Sequence, residues 1–289
     1  MEVIDVQVQT FTRESMSFHP NPEEIESMAR NVFKRESVFV EEEIFIAGLR
    51  NAGVRAILMS PMGCARVGQD MAKIREMHDY MGHLKKTYPD VVLGCWGDID
   101  PRLGYPGARE LERCIKDAGM LGIYTGAILT GIPVNDKSYH NLYEVCAEAG
   151  VPVKLSVGLT AVGQGMPGGG GIHLAYENPI PYVDDVAVQF PGLTILAAHC
   201  AWPFHNEMTA VMIHKGNVYN ELHGWSPRYF PEELKREING RLQDKFLFGS
   251  DYPWLTYERL FKDWADQGYK AEVLEKVYYR NARRIFKFD

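Results

Sequence analysis

Three residues with titratable side chains each stand directly behind a short apolar run. The sequence reads TILAAH up to His199, NVYNELH up to His223 and KFLFGSD up to Asp251. Imidazole and carboxylate groups serve enzymes as general acids and bases, and they also bind metals. A lone histidine in such a place is often a satisfied structural group, and an aspartate can simply hold a turn. If the runs are strands of one barrel, however, the three side chains face the same mouth, and we predict that they are catalytic.

Neutral hydrogen-bonding side chains and a lysine follow a related pattern earlier in the chain. Gln7 and Gln9 alternate in VIDVQVQ, so both point to the same side of a strand. Ser156 ends the run VPVKLS, where Lys154 points to the same side but lies deeper. We predict that these four side chains bind the substrate. For Lys154 the sequence leaves open a Schiff base or carbamate and, as a comparable alternative, a buried ion pair. Glu221 precedes His223 by two residues and is placed to pair with it.

Four tryptophans fall at or just beyond the ends of apolar runs. We predict that Trp96, Trp225 and Trp254, and with them Trp202, line a pocket for a planar ligand, although large aromatic residues are also common in cores. The segment Gly158–Ile172, GLTAVGQGMPGGGGI, carries seven glycines. We expect this segment to form a loop over the site, where glycines permit close backbone approach or movement of a lid.

Eight apolar, β-branched runs recur along the chain, and segments of helical period lie between them. Runs of this length between longer helices are typical of parallel strands buried on both faces. Eight such units predict a (β/α)8 TIM barrel of the α/β class. An open doubly wound sheet is disfavoured, because TFTRE and not a glycine-rich phosphate loop follows the first run. The predicted strands are Val3–Gln9, Val54–Ser60, Val91–Trp96, Leu121–Leu129, Val151–Ser156, Thr194–Ala198, Asn217–Leu222 and Lys245–Ser250. The predicted helices are Val38–Asn51, Gln69–Thr87, Gly107–Asp117, Tyr139–Ala149, Pro181–Phe190, Pro203–Ile213, Pro231–Leu242, Tyr257–Asp266 and Ala271–Phe286.

Composition restricts the partners and the compartment. The 31 basic and 38 acidic residues give a net charge of −7, which argues against nucleic acid or an anionic membrane as partner. No apolar run approaches the ~20 residues of a membrane span, and MEVIDVQVQT does not resemble a signal peptide. Five dispersed cysteines without CxxC pairs are typical of a reduced, cytoplasmic protein. Since no segment reads as a linker, we expect residues 1–289 to form one domain with a small-molecule substrate.

Several motifs resemble the metal-dependent hydrolases of the amidohydrolase 2 family. They are GDIDPR, the glycine-rich loop, NPIPYVDDVAVQFPGL, AAHCAWPFHNE, NVYNELHGWSPRYFPEEL, KFLFGSDYPW and NARRIF. The resemblance spans almost the whole chain and implies a TIM barrel. In this family an Asp-x-His-x-His signature on strand one supplies two metal ligands, strands five and six each supply a histidine, and strand eight supplies an aspartate. Here His199 and Asp251 match the last two positions, whereas Gln7, Gln9 and Ser156 occupy the other three.

These replacements change what the site binds. Amides and hydroxyls are weak neutral donors for zinc, so we expect no tightly bound cofactor. If a divalent metal does bind, we expect His199 and Asp251, with help from His223 and glutamine oxygens, to hold it weakly and to favour Mn²⁺. The resemblance implies a hydrolase or lyase for a small cyclic or aromatic acid, lactone or amide, with decarboxylation as the main variant. It also implies that Asp251 is the general base, while a histidine donates a proton or stabilises an oxyanion and Gln7 and Gln9 donate hydrogen bonds.

A second interpretation belongs to another class of protein. A catalytically degenerate barrel would bind a ligand or serve as the partner subunit of an active, metal-containing paralogue. Loss of three of five ligands is consistent with decay after duplication, whereas retention of His199 and Asp251 favours an enzyme. The family often forms dimers, so a homodimer or a hetero-oligomer is expected.

Overall fold

Eight parallel strands, each paired with the next along the chain, dominate the fold. The computed structural model describes residues 2–19, 22–31, 33–61 and 70–288, apart from the side chain of Glu24. Within these ranges the strands are β1 (Val3–Gln9), β2 (Val54–Met59), β3 (Val92–Gly97), β4 (Met120–Thr125), β5 (Val153–Ser156), β6 (Ile195–Ala198), β7 (Val218–Glu221) and β8 (Phe246–Leu247).

The barrel closes between β1 and the chain that includes and follows β8. The Val6 amide donates to the Phe248 carbonyl at 3.0 Å, and the Asp251 amide donates to the Gln7 carbonyl at 3.0 Å. These bonds give β1 a neighbour on its second edge, so no strand edge is left without a partner there. The predicted (β/α)8 TIM barrel is therefore confirmed.

Helices follow most of the strands and cover the outside of the barrel. In the described part of the chain they are α1 (Pro22–Asn31), α2 (Glu42–Ala52), α3 (Met71–Thr87), α4 (Gly104–Arg113), α5 (Ala127–Thr130), α6 (His140–Ala149), α7 (Pro179–Gln189), α8 (His205–His214), α9 (Glu232–Ile238), α10 (Tyr257–Ala265), α11 (Ala271–Glu275) and α12 (Asn281–Phe286). Two π-helical turns, Cys114–Ala118 and Lys276–Arg280, extend α4 and join α11 to α12.

The structure differs from the predicted elements at one strand and at one helix. The strand predicted over Leu121–Leu129 is wrong beyond Thr125, because the chain turns at Gly126 into α5. Any Cβ on Gly126 would lie 2.5 Å from the Cβ of Ser156, so the chain packs there more closely than a side chain allows. The helix α1 is not among the predicted elements, although proline at its first position followed by two glutamates is a recognised helix start.

Apolar side chains form two layers on opposite faces of the sheet. The outer layer lies between the strands and the helices, and it includes Phe45, Leu155 and Trp264. The inner layer fills the barrel below the strand ends and includes Trp96 and Leu196. Each fully buried aliphatic side chain of this kind contributes about 1.5–3 kcal/mol. The packed interior forms a rigid support for the polar residues at the mouth.

An irregularity in β1 decides where its polar residues point. The pairing of β1 with β2 shifts register between Asp5 and Val8. The Asp5 carboxylate accepts hydrogen bonds from the Tyr257 hydroxyl at 2.8 Å and the Ser250 amide at 3.0 Å, whereas Gln7 contacts Lys154 inside the barrel. Burial raises the pKa of Asp5 to about 6. The bulge thus lets Asp5 anchor β1 to the chain after β8 while Gln7 enters the site.

The structure also bears on whether a helix could cross a membrane and on the state of the cysteines. No helix within the described ranges is long and apolar enough to cross a membrane. Four cysteines, Cys95, Cys114, Cys146 and Cys200, are buried free thiols. The fifth, Cys64, lies outside the described residues. A cytoplasmic location stays a prediction.

Candidate active site

The ends of β6, β7 and β8 bring the three predicted catalytic residues together. The imidazole rings of His199 and His223 have centroids 4.1 Å apart. His199 and Asp251 both lie beside Gly224. A Cβ on Gly224 would be 3.3 Å from Cδ2 of His199 and 3.7 Å from Oδ2 of Asp251. The three side chains are therefore neighbours at the barrel mouth, and their catalytic role stays a prediction.

Two of these residues have an unusual backbone conformation. The backbone φ angle is 67° at His199 and 62° at Asp251. Both values lie in the left-handed region, which residues other than glycine seldom adopt. Each such residue costs on the order of 1–3 kcal/mol, and these conformations concentrate at functional sites. The turns carry His199 and Asp251 out of the strand direction and towards Gly224.

Gln9 fixes the orientation of Asp251. Nε2 of Gln9 donates to Oδ1 of Asp251 at 2.6 Å, which leaves Oδ2 on the side of Gly224 and His199. Burial raises the pKa of Asp251, and the charge of His223 and the hydrogen bond from Gln9 oppose that rise only in part. A carboxylate with a raised pKa is a stronger base at neutral pH than an exposed one.

Glu221 fixes the ring of His223. Nδ1 of His223 lies 2.5 Å from Oε1 of Glu221, whose Oε2 accepts the His223 backbone amide at 3.2 Å. Burial alone would raise the pKa of Glu221, but His223 and Lys154 lower it to about 2. The ionised carboxylate therefore holds a proton on Nδ1 and leaves Nε2 available for chemistry, as in other carboxylate–imidazole pairs.

Lys154 is fully buried inside the barrel and surrounded by partners. Its Nζ donates to the amide oxygen of Gln7, lies 3.7 Å from Oε1 of Glu221, and stands 4.5 Å and 4.8 Å from the ring centroids of Trp96 and Tyr124. Burial lowers the pKa of Lys154 to about 8. These are the contacts of the buried, paired lysine that the sequence offered as one alternative, and the substrate-binding role of Lys154 stays a prediction.

The predicted aromatic residues separate into two groups. Trp96 lies in the barrel interior, where its indole N–H donates to a β1 carbonyl at 2.8 Å. Trp254 packs with Phe11, at a centroid distance of 5.1 Å, in a small apolar cluster beside α1. Trp202 and Trp225 instead have rings 5.9 Å apart, and Trp202 is 40% exposed. Only this last pair, among the four, is placed as a wall at the surface of the mouth.

Comparison with known proteins identifies the family to which the chain belongs. A protein-family model described as amidohydrolase matches residues 49–288. The chain belongs to the amidohydrolase family. The resemblance noted in the sequence motifs is thereby confirmed. A search of the curated proteins finds no match.

Solved structures with the same architecture include three that match 99% of this chain. One is an uncharacterized TIM-barrel protein from Bordetella bronchiseptica, with 19% identity, 99% of that chain covered and a TM-score of 0.74. Another is 5-carboxyvanillate decarboxylase from Sphingomonas paucimobilis, with 15% identity, 99% of that chain covered and a TM-score of 0.71. A third is 5-carboxyvanillate decarboxylase from Novosphingobium aromaticivorans with manganese and 4-hydroxy-3-methoxy-5-nitrobenzoic acid, with 16% identity, 96% of that chain covered and a TM-score of 0.71. At these identities the likeness shows the fold.

The side chains at the barrel mouth do not fit a tightly bound divalent cation. The oxygen of Gln7 accepts from the Lys154 ammonium, and Gln9 turns its NH₂ group towards Asp251. Ser156 offers only a neutral hydroxyl. A catalytic zinc normally has three strong protein ligands, which this arrangement does not supply. The amide groups have become hydrogen-bonding partners of the neighbouring charges.

A different cluster, outside the barrel, holds side chains of metal-binding types. Within the described ranges, one group of three has its ligand atoms within 4.8 Å of one another: His78, Glu110 and Cys114. Glu110 Oε1 accepts from Nδ1 of His78 at 3.0 Å and from Nη2 of Arg113 at 2.8 Å, and its Oε2 accepts from Nε of Arg75 at 3.2 Å. Two guanidinium groups already neutralise this carboxylate, so the cluster serves as an ion network that joins α3 to α4.

One residue of the mouth is absent from the sequence candidates. Glu177 follows the glycine-rich loop and is 1% exposed, and the Ile128 amide donates to its Oε1 at 3.0 Å. Burial raises the pKa of Glu177 to about 8, and the neighbouring Ser156 hydroxyl lowers it only in part. No local pattern marks this residue, because its burial depends on the loop folding back over the end of β5.

Gly249→Ala is expected to disrupt the centre of the site. A Cβ on Gly249 would lie 2.5 Å from Oε2 of Glu221 and 2.8 Å from the Cβ of His223. Overpacking of this kind should lower the free energy of unfolding by about 1–3 kcal/mol, measured by urea denaturation. Gly192→Ala is the control, because its Cβ would meet nothing within 4 Å, and we expect a change within about 0.5 kcal/mol. Equal stability of the two variants would show that Gly249 is not tightly enclosed.

Proposed function

We propose that this protein is a hydrolase or lyase that acts on a small cyclic or aromatic acid, lactone or amide without a tightly bound metal. The observation that carries the proposal is that Asp251 and His223, each oriented by its own partner, meet beside His199. Acid–base catalysis needs titratable groups whose surroundings set their proton affinities apart. Membership of the family supports hydrolase or lyase chemistry, and two of the similar structures are aromatic-acid decarboxylases.

In this proposal Asp251 is the general base. For a lactone, Oδ2 of Asp251 takes a proton from water while the water oxygen bonds to the carbonyl carbon. The ring C–O bond then breaks, and the leaving oxygen takes a proton from Nε2 of His223, which enters this step as an imidazolium with its Nδ1 proton held by Glu221. Asp251 then loses its proton to water and His223 regains one, which restores both groups for the next turnover. Lactone opening suits such a site better than amide hydrolysis, because an ester carbonyl is the more electrophilic.

His199 and the glutamines have supporting roles in the proposal. Burial, followed by the nearby His223, lowers the pKa of His199 well below its ordinary value, so its ring is neutral. A neutral imidazole can donate a hydrogen bond to a developing oxyanion without adding a proton to the reaction. Gln9 positions Asp251, and Gln7 connects the mouth to the Lys154 charge.

The second candidate is a degenerate barrel that binds a ligand or partners a metal-containing paralogue. Replacement of three of five family ligands favours it. The left-handed conformations of His199 and Asp251 favour a working enzyme, because strain without function tends to be lost. Four further expectations stay predictions. They are a weakly held Mn²⁺ at His199 and Asp251, a homodimer or hetero-oligomer, one domain over residues 1–289, and a cytoplasmic location.

A substrate screen in the presence of a chelator tests the proposed function. The purified protein is incubated with EDTA and a panel of lactones and aromatic carboxylic acids, with proton release and CO₂ release as readouts. We expect turnover that EDTA does not reduce. Turnover that requires added Mn²⁺ would contradict the metal-independent mechanism, and turnover that appears only with a co-purified paralogue would support the second candidate.

A further inference from the structure

A cavity of about 250 Å³ opens at the end of the barrel opposite the mouth. Gly150 lies before β5, Thr194 lies directly before β6, and Tyr219 is the second residue of β7. The cavity is completed by Arg284 of α12 and by Lys287, which directly follows α12. Because these strands are parallel and the predicted catalytic residues follow their other ends, the cavity lies apart from the candidate active site.

Both charged side chains that line the cavity are cations, Arg284 and Lys287. Neither forms an ion pair with a carboxylate of the described residues, whereas the adjacent Arg283 pairs with Glu2 at 3.0 Å. The whole chain has a net charge of −7, so two uncompensated cations around one cavity run against its general charge. A concave surface lined by charges of one sign attracts ions of the other sign.

Arg284 is held in place but keeps donors for a ligand. Its Nη2 donates to the Asp244 carbonyl at 2.5 Å and its Nη1 to the Tyr219 hydroxyl at 3.4 Å. The carboxylate of Asp244 pairs with Lys276 at 2.8 Å. A guanidinium has five N–H groups, so these two bonds leave three for the oxygens of a ligand. The Tyr219 hydroxyl accepts from Arg284, and its own hydrogen is directed elsewhere.

The backbone of Lys287 indicates that its side chain is needed. Its φ of 56° lies in the left-handed region, where the ends of other helices have glycine, as at Gly53, Gly131 and Gly150. A Cβ on Gly150 would lie 3.5 Å from Nζ of Lys287, so the ammonium reaches across to the segment before β5. The end of α6 also favours a cation, which accounts for Lys287 but not for Arg284 beside the same cavity.

A third cation, Lys245, lies against the Tyr219 ring. Its Nζ is 4.4 Å from the ring centroid, and Cζ of Arg284 is 5.4 Å from the same centroid. The carbonyls of Gly216 and Val218 hold this ammonium at 2.7 Å and 3.0 Å. Burial, followed by the charge of Arg284, lowers the pKa of Lys245. A bound anion would reduce the repulsion between these like charges.

We propose that this cavity is a binding site for a phosphate group, held by Arg284 and Lys287. A phosphate monoester carries about −1.5 to −2 charges at pH 7, which two cations balance. Guanidinium and ammonium groups make short, charge-assisted hydrogen bonds to its oxygens, and the hydroxyls of Tyr219 and Thr194 add uncharged donors. The bound group joins α12 to the segments before β5 and β6. The site is independent of the proposed function.

Calorimetric titration of the full chain with inorganic phosphate tests the site, at about pH 7 and an ionic strength of about 0.1 M. We expect one phosphate per chain, with a Kd on the order of 1 mM or tighter. Arg284→Met and Lys287→Met each remove a charged donor, and we expect affinity to fall about tenfold or more in either variant. Lys287→Arg keeps the charge, and we expect affinity within about threefold of the original.

Two control variants separate this site from general charge and from the barrel mouth. Arg280→Met removes the same charge from the same stretch of chain, but Arg280 is exposed and pairs with Glu275. We expect its phosphate affinity within about twofold of the original. Asp251→Asn changes the charge at the mouth and should leave phosphate affinity equally unaltered. Thermal melting of each variant without phosphate confirms that it is folded.

Two further probes define the ligand. Acetate, a monoanion with two oxygens, should bind about tenfold more weakly than phosphate. Phenyl phosphate that binds about tenfold more tightly than inorganic phosphate would identify a monoester as the ligand, because Val151 and Ile285 also line the cavity and would contact the ring. Equal affinity of the two would identify the free ion.

Three results would overturn the site. The first is an absence of heat and of any rise in melting temperature with inorganic phosphate up to about 10 mM, which would leave Lys287 as a residue that only stabilises the end of α6. The second is unchanged affinity in the folded Arg284→Met and Lys287→Met variants. The third is affinity that changes in Asp251→Asn but not in Arg284→Met, which would place the phosphate at the mouth.

Discussion

Lys154→Met is expected to lower the free energy of unfolding by about 3–5 kcal/mol. Nζ of Lys154 lies 3.7 Å from Oε1 of Glu221, and both side chains are fully buried. Methionine fills a similar volume but leaves the Glu221 carboxylate with His223 alone, and it removes the donor to the Gln7 oxygen. Urea denaturation at about pH 7 measures the loss.

A double-mutant cycle shows whether the loss comes from charge or from packing. Lys154→Met combined with Glu221→Gln removes both charges, and we expect it to be more stable than the sum of the single changes predicts. Lys276→Met is the control, because its Nζ pairs with Asp244 at 2.8 Å near the surface and should cost at most about 1 kcal/mol. A Lys154→Met variant as stable as this control would refute the buried charge network.

Asp251→Asn is expected to lower kcat by about 10²–10⁴-fold, with much less change in KM. Asparagine keeps the shape of the side chain and can still accept the Gln9 hydrogen bond through Oδ1, but it cannot take a proton from water. The measurement is steady-state kinetics on a substrate from the chelator screen, together with thermal melting to confirm folding.

Two further variants define what the Asp251 result means. Asp90→Asn, at an exposed carboxylate 2.7 Å from Nε of Arg50, should leave kcat unchanged. Gln9→Ala frees Oδ1 of Asp251 without removing the base, so we expect a smaller loss of kcat than in Asp251→Asn. Retention of more than about a tenth of the original kcat in Asp251→Asn would show that another group is the base.

Much of the architecture can be predicted from the sequence, because parallel strands that are buried on both faces consist of continuous apolar runs. The run VIDVQVQ predicts β1 over Val3–Gln9, the bounds that the structure has. His199 and Asp251 are recognisable because chemistry on a barrel collects at the strand ends. Their spacing in the chain is large, and only the closed order of the strands makes them neighbours.

The rest of the site depends on contacts that no local pattern records. The register shift in β1 separates Asp5 from Gln7, and strict alternation would have put them on one face. Trp96 stands at a strand end in the sequence, yet the structure places it inside the barrel, where Nζ of Lys154 lies over its ring. Glu177 becomes a site candidate only because a loop buries it against β5. Burial and partnership are tertiary properties, and they determine proton affinity.

Proton transfer by Asp251 and His223 is expected to proceed without a tightly bound metal. The most direct test is the metal content of the untagged protein, purified without chelator and measured by plasma mass spectrometry beside its turnover. We predict less than about a tenth of an equivalent of any transition metal in a protein that is active. A full equivalent of metal that resists EDTA and is lost in His199→Ala or Asp251→Asn would contradict the claim, because these side chains would then be ligands of a rebuilt metal centre.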